Sequence, residues 1–308
     1  MKAIIHIGLP KVGSSSILEF LKINQQALLA QSIRYAPLDP QFGSQFELAA
    51  TGRLEAGKLI PAPIILSVLN LKTPDEQRAY VQRFLDFLDA GLRDWSEATY
   101  VASSEHIQAW FHTRAQVAAL DAFLRERFED VRYVLYLKPQ QNIVLSRYSE
   151  RIRRGETLSL KTHMQGPMTE QDYDAIVTRW ENAVGADALD VRLLTPDTLV
   201  NGDLIDDFCT VLGVQRSSMA TPRRMNTSLS AENIELRRRV NRWLRVRKPD
   251  GRQNPWYYRV LNTLSRVWPD RATRLALTDA QRHEIEDRFA DSNEALRQRR
   301  FPDRETLF

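Results

Sequence analysis

Nine residues near the start, Gly8-Leu9-Pro10-Lys11-Val12-Gly13-Ser14-Ser15-Ser16, constrain what this chain can fold into more than any other segment. They lie between Lys2–Leu9, an apolar run that reads as a strand, and Ser15–Leu29, which reads as a helix with Ile17, Leu18, Leu21, Leu28 and Leu29 as its apolar positions. A strand, a glycine-bearing turn and a helix form the opening of a βαβ unit, because parallel strands need a crossover connection. Gly13 lets the backbone approach an anion, the N–H groups of Ser14, Ser15 and Ser16 point toward it, and the helix dipole favours its charge. The segment therefore predicts an anion site as well as a turn.

The rest of the chain continues the alternation. Thr73-Pro74 opens a helix running to about Trp95, with Thr as N-cap and Pro in the first turn. Thr99–Ser103, Arg132–Leu137 and Val191–Leu194 read as strands. Arg114–Phe128, Gln140–Arg154, Thr169–Val184 and Asp203–Leu212 read as helices, the last stopped by Gly213. Pro37–Pro63 reads as loop. Beyond Arg223 the pattern is helical, over Leu229–Arg247, Trp256–Val267 and Thr278–Arg297. The expectation is a single domain over 1–308: an α/β fold with a P-loop-type central parallel β-sheet flanked by helices, and a helical C-terminal cap over about 223–308.

The bulk numbers agree with that picture. A chain of 308 residues, 43% hydrophobic and 27% charged, is long enough for a sizeable core. No apolar stretch approaches the roughly 18 residues of a membrane span. The first strand is short and runs into Pro10-Lys11 rather than a small-residue cleavage site. Cys209 is the single cysteine, which excludes internal disulfides and a cysteine-rich metal site, and a cytoplasmic location is expected. No His, Asp and Glu cluster has metal-ligand spacing, so no metal is expected. The net charge is +4, with arginine densest from Arg223 to Arg304. Such a field attracts anions, although Glu232, Glu235, Glu284, Glu286 and Asp287 interleave with it as on solvated helix faces.

A nucleoside-triphosphate loop reads G-x-x-x-x-G-K-[ST]. Here the glycine spacing is kept, but Ser14 stands in place of the lysine and the lysine sits at position 11. The segment resembles instead the 5′-phosphosulfate loop of sulfotransferases, commonly P-K-[ST]-G-[ST]-[ST]-[ST]. Pro10, Lys11, Gly13, Ser14, Ser15 and Ser16 match, while Val12 departs and offers only its backbone N–H. Tyr136–Tyr148 resembles the family's 3′-phosphate segment, with Lys138 at a strand end and Ser146 eight residues on, two turns into a helix. Arginine is usual where Lys138 stands. Lysine keeps the charge but not the bidentate fork. Arg223–Ser230 is similar to the R-x-N-x-S-L-S stretch of the bacterial carbohydrate-type members, which places Arg224 to reach the 3′-phosphate and offset Lys138.

The resemblance implies 3′-phosphoadenosine 5′-phosphosulfate as donor, its 3′,5′-bisphosphate as product, no metal, and a carbohydrate-like acceptor. The arginine-rich surface suggests an anionic glycan, exopolysaccharide or lipopolysaccharide sugar; a lipid-linked acceptor would bring peripheral membrane contact, and nucleic acid is not an expected partner. Lys11 would bond the oxygen bridging sulfur and phosphorus. A base must take the acceptor's proton, and family members use His or Glu near a strand end. Ala102-Ser103-Ser104-Glu105-His106 offers both. Alternation along a strand lets only one face the acceptor, and the resemblance favours Glu105 over His106. His6 reads as a satisfied core residue. Two rivals stay open. A P-loop small-molecule kinase would need a lysine after Gly13 and an acidic Mg²⁺ ligand. A non-enzymatic nucleic-acid-binding protein would use the basic tail but leave the matched segments unexplained.

Overall fold

The computed structural model describes residues 1–42, 44–222, 229–249 and 251–308. The chain begins with β1 (Lys2–His6), α1 (Ser14–Ile23), α2 (Gln25–Leu29), β2 (Ile33–Tyr35), α3 (Phe46–Glu55), α4 (Pro63–Val68) and α5 (Pro74–Asp94). It continues through β3 (Thr99–Ser103), α6 (Glu105–Trp110), α7 (Arg114–Arg125), β4 (Asp130–Leu137), α8 (Gln140–Arg153), α9 (Leu160–Met164) and α10 (Tyr173–Val184). Then follow β5 (Leu189–Leu193), α11 (Leu204–Leu212), α12 (Ala231–Asn241), α13 (Pro255–Ser265) and α14 (Asp279–Arg300).

The five strands form one parallel sheet in the order β2-β3-β1-β4-β5. Ile4 on β1 pairs with Val101 on one side and Arg132 on the other, so β1 is central. Ile5, Val101, Ala102, Leu135, Tyr136 and Leu137 are wholly buried. Consecutive buried residues on β3 and β4 are what a parallel sheet covered on both faces demands, and they explain why these strands read as apolar runs. The chain leaves β1 toward β2 and leaves β4 toward β5, in opposite directions across the sheet. A crevice opens beyond the carboxyl ends of strands where the connections diverge in this way.

The sheet belongs to a first unit comprising Met1–Lys138, Tyr173–Met225 and Ser292–Phe308. Helix α11 is locked to the sheet in this unit by a buried carboxylate. Asp207 accepts from the Tyr136 hydroxyl at 2.7 Å and from Arg192 Nε and Nη2 at 2.6 and 2.7 Å. Burial pushes the Asp207 carboxyl up, but these hydrogen bonds outweigh it and hold it below its ordinary value. The second unit comprises Pro139–Asp172 and Asn226–Asp291. It is helical, with Tyr148, Ile152 and Ile234 in one buried cluster and Leu236, Val240, Tyr257 and Leu261 in another. Asn241 Nδ2 donates to the Ile152 and Glu156 carbonyls at 2.8 Å, tying the end of α12 to the end of α8.

Three sequence expectations change. The Ser15–Leu29 helix is two helices, broken at Asn24, whose side chain exchanges hydrogen bonds with the Ala220 backbone at 2.7 and 3.0 Å. The Pro37–Pro63 loop contains α3. Every residue from Phe46 to Gly52 is buried there, so no amphipathic stripe announces the helix. The Leu229–Arg247 helix ends at Asn241. Among the described residues, no helix is long and apolar enough to cross a membrane.

Candidate active site

Past His6 the chain keeps one more strand contact, Ile7 N–H to the Val134 carbonyl at 3.0 Å, and then turns. Lys11 and Gly13 take left-handed backbone, with φ of 70° and 85°. For glycine this is free; for lysine it stores strain on the order of 1 kcal/mol. Val12 between them is 1% exposed and anchors the loop with its side chain. Ser14 is buried and its hydroxyl donates to the Leu9 carbonyl at 3.2 Å, closing the turn from within. A Cβ at Gly8 would lie 2.3 Å from that hydroxyl oxygen. Ser16 N–H donates to the Gly13 carbonyl at 2.9 Å. The Ser14 and Ser15 amides have no intrahelical acceptor and stay available at the positive end of α1. The sequence expected three amides for an anion; the tight first turn uses one of them.

The adjacent strand β3 ends beside this loop. Ser104 N–H donates to the His6 carbonyl at 3.1 Å, and Ser103 Oγ lies 2.7 Å from His6 Nδ1. Gln45, just before α3, accepts from Ser103 N–H at 2.8 Å and fixes the strand end. Glu105 is half-buried and is the first residue of α6, and His106 follows on the same helix. Strand alternation therefore does not govern this pair, which corrects the sequence premise. The His106 ring lies 4.7 Å from Phe46 and 4.9 Å from Trp110, and burial pushes its pKa down to about 4. It is a neutral packing ring at physiological pH. His6 is only half satisfied: Nε2 is buried with no partner among the described residues, and burial lowers its pKa to about 3.

On the other flank of β1, Lys138 is the first residue past β4. Its carbonyl accepts from the Tyr173 hydroxyl at 2.6 Å, which pins the root of the half-buried side chain. The residues singled out from sequence thus gather at the carboxyl edge of β3, β1 and β4: Glu105 and His106, then Pro10 to Ser16, then Lys138. Ser146 is half-buried on α8, in the second unit. Arg224 lies outside the described residues.

Sequence reasoning missed the residues behind this edge. Glu47, 1% exposed in the first turn of α3, accepts from Leu38 N–H at 3.0 Å. Burial raises its pKa to about 7 against the pull of that amide. The Tyr80 and Tyr100 hydroxyls and Gln45 Nε2 are buried without partners among the described residues. A lone Glu beside Phe46 reads as helix surface, and nothing in the sequence marks it as interior. Among the described residues, no group of three His, Cys, Asp or Glu could hold a metal ion.

Fold and site define a class: a parallel α/β protein with a glycine-serine turn at the end of its central strand, a carboxylate past one neighbouring strand and a lysine past the other. No protein-family model matches the sequence, and no curated protein matches it. The crystal structure of a sulfotransferase from Alicyclobacillus acidocaldarius is similar at a TM-score of 0.48 and 15% identity, over 96% of this chain and 94% of that one. At that distance, the question of function falls to the residues of the site.

Proposed function

We propose that the sheet unit is a sulfotransferase, moving a sulfuryl group from 3′-phosphoadenosine 5′-phosphosulfate to a hydroxyl of a carbohydrate-like acceptor. One observation carries the reading: Lys11 and the Gly13–Ser16 turn stand at the end of β1, with Glu105 past β3 and Lys138 past β4. The donor supplies sulfur already bonded to a good leaving group, a phosphate oxygen. The Ser14 and Ser15 amides and the α1 dipole hold that phosphate. Lys138 answers the 3′-phosphate with a single charge. For Ser146 and Arg224 the same assignment rests on the sequence pattern alone.

Lys11 donates to the oxygen between sulfur and phosphorus, where charge grows as that S–O bond breaks. Glu105 accepts the proton of the acceptor hydroxyl as its oxygen bonds to sulfur. One S–O bond forms, one breaks, the proton ends on Glu105, and the nucleotide bisphosphate leaves. Catalysis is mostly positioning and charge stabilisation, as in phosphoryl transfer. His106 is the weaker candidate for the base, because its ring is spent on packing against Phe46 and Trp110. A cytoplasmic setting fits the single thiol, buried Cys209. The kinase reading is disfavoured by Ser14 in the place of the loop lysine.

Incubation with sulfur-radiolabelled donor and a panel of neutral and acidic oligosaccharides tests the proposal. Label on a sugar, lost in Lys11→Ala, supports it; label left on the nucleotide with every acceptor class counts against the carbohydrate assignment.

A further inference from the structure

Helices α12 and α13 run antiparallel. Trp268 Nε1 donates to the Glu232 carbonyl at 3.1 Å at one end of the pair, and the Tyr257 hydroxyl donates to Asn241 Oδ1 at 2.8 Å at the other. The connection between them is a hairpin, with Arg247 bridged to Gln253 and Asn254 N–H bonded to the Val246 carbonyl at 3.0 Å. Two indoles flank this hairpin. Trp243 is 87% exposed and Trp256 is 62% exposed, and Val267 just past α13 is 81% exposed. Tyr257 and Leu261 already fill the inner face of α13, so these apolar groups have no role in the core.

The same segment is strongly basic. From Arg242 to Arg266 there are seven Lys and Arg and one acid, Asp250. Arg242, Arg245, Arg247, Lys248, Arg259 and Arg266 are exposed and make no ion pair among the described residues. Elsewhere on α12, Arg238 and Arg239 are paired with Glu235. Arg259 lies 5.0 Å over the Trp256 ring, holding a cation and an indole side by side. Beside them runs an open groove of about 560 Å³ lined by Tyr258, Arg259, Asn262 and Arg266.

We propose that this hairpin and the outer face of α13 dock on an anionic phospholipid surface. Trp243 and Trp256 enter the interfacial layer, where an indole satisfies both its apolar body and its N–H. Arg242, Arg245, Arg247 and Lys248 meet lipid phosphates, and Arg259 and Arg266 hold one headgroup in the groove. A hydrated polyanion would satisfy the cations but leave Trp243 and Val267 in water. A lipid surface covers both kinds of group. The proposal stands whether or not the sheet unit transfers sulfuryl groups, since none of these residues belongs to that site.

Sedimentation of the full chain with phosphatidylcholine vesicles, and with phosphatidylcholine–phosphatidylglycerol vesicles, tests it. The protein should bind the mixed vesicles, ignore the neutral ones, and release as salt rises. Its tryptophan emission should shift to the blue on binding. Lys248→Gln should weaken binding roughly fivefold, and Arg245→Gln likewise, at the strength expected per cation near such a surface. Trp243→Ala with Trp256→Ala should weaken it further and remove most of the blue shift, while the far-ultraviolet circular dichroism and the thermal unfolding midpoint stay unchanged as a check on folding. Three outcomes would overturn the proposal: no sedimentation with either vesicle, equal sedimentation with both, or tighter binding to heparin or single-stranded DNA than to vesicles.

Discussion

Leu204 on α11 occupies the space that a side chain at Gly13 would need: a Cβ there would lie 2.3 Å from Leu204 Cδ2. Gly13 also has a φ of 85°, so two independent constraints keep it glycine. Gly13→Ala should destabilise the protein by about 1–3 kcal/mol through backbone strain and the contact together. Leu204→Ala in the same chain should recover the contact part and leave the strain. Urea denaturation of the four proteins in the cycle measures both parts, and strict additivity would show that the contact is absent.

Asp207 gives a second prediction. Its carboxylate is buried and accepts from both Arg192 and Tyr136. Removing the charge in Asp207→Asn takes away the buried, two-pronged partner of Arg192, leaving it only the more exposed Asp190, and should cost about 3 kcal/mol. Asp190→Asn touches the more exposed contact of the same arginine and should cost under about 1 kcal/mol. Equal losses in the two variants would contradict the role given to Asp207.

Glu47 makes stability depend on pH. Its carboxyl titrates near 7 when folded against an ordinary 4.5, so the folded protein keeps a proton that the unfolded chain releases. Stability from this group therefore falls as pH rises from about 4.5 to about 7, by at most ~1.4 kcal/mol per pH unit. His6 and His106 act the opposite way. Their folded pKa values are lowered to about 3 and 4, so stability rises with pH up to the ordinary 6.5 of histidine. The wild-type profile mixes these effects, and the difference between wild type and Glu47→Gln isolates the carboxyl. That difference should grow in favour of the variant up to about pH 7 and then level off. A flat difference across pH 4.5 to 8 would show that Glu47 is not held protonated.

Glu105 and His106 separate by the kind of damage they cause. Glu105→Gln should lower transfer about 10²–10⁴-fold, with little change in stability. His106→Phe should keep most of the activity, since another ring fills the slot between Phe46 and Trp110. The reverse pattern would move the base to His106.

The sheet was legible because its strands are apolar runs bounded by turn residues, and Thr99–Ser103 was read without error. The N-cap Thr73 and the stop at Gly213 were equally plain, because each does its work through its own side chain or backbone. Helix α3 was not legible, since burial on every side of Phe46–Gly52 erases the period that marks a helix. The turn over Lys11–Ser16 between strand and helix was visible, and so was the placement of Lys138 and Glu105 just past the neighbouring strands. What escaped is the support behind them. Gln45 reaches Ser103 and Asp207 reaches Tyr136 across long stretches of chain, and no local pattern encodes such pairings. The short α6 also escaped, which is why Glu105 and His106 read as strand residues.

The most direct test is calorimetric titration of the protein with 3′-phosphoadenosine 5′-phosphate, with AMP and ATP as controls and Lys138→Ala in parallel. The expected result is tight binding that needs no Mg²⁺, selects for the 3′-phosphate, and weakens in the variant. Absence of binding, or a preference for Mg²⁺-ATP, would contradict the sulfotransferase reading and turn the same strand-end turn toward kinase chemistry.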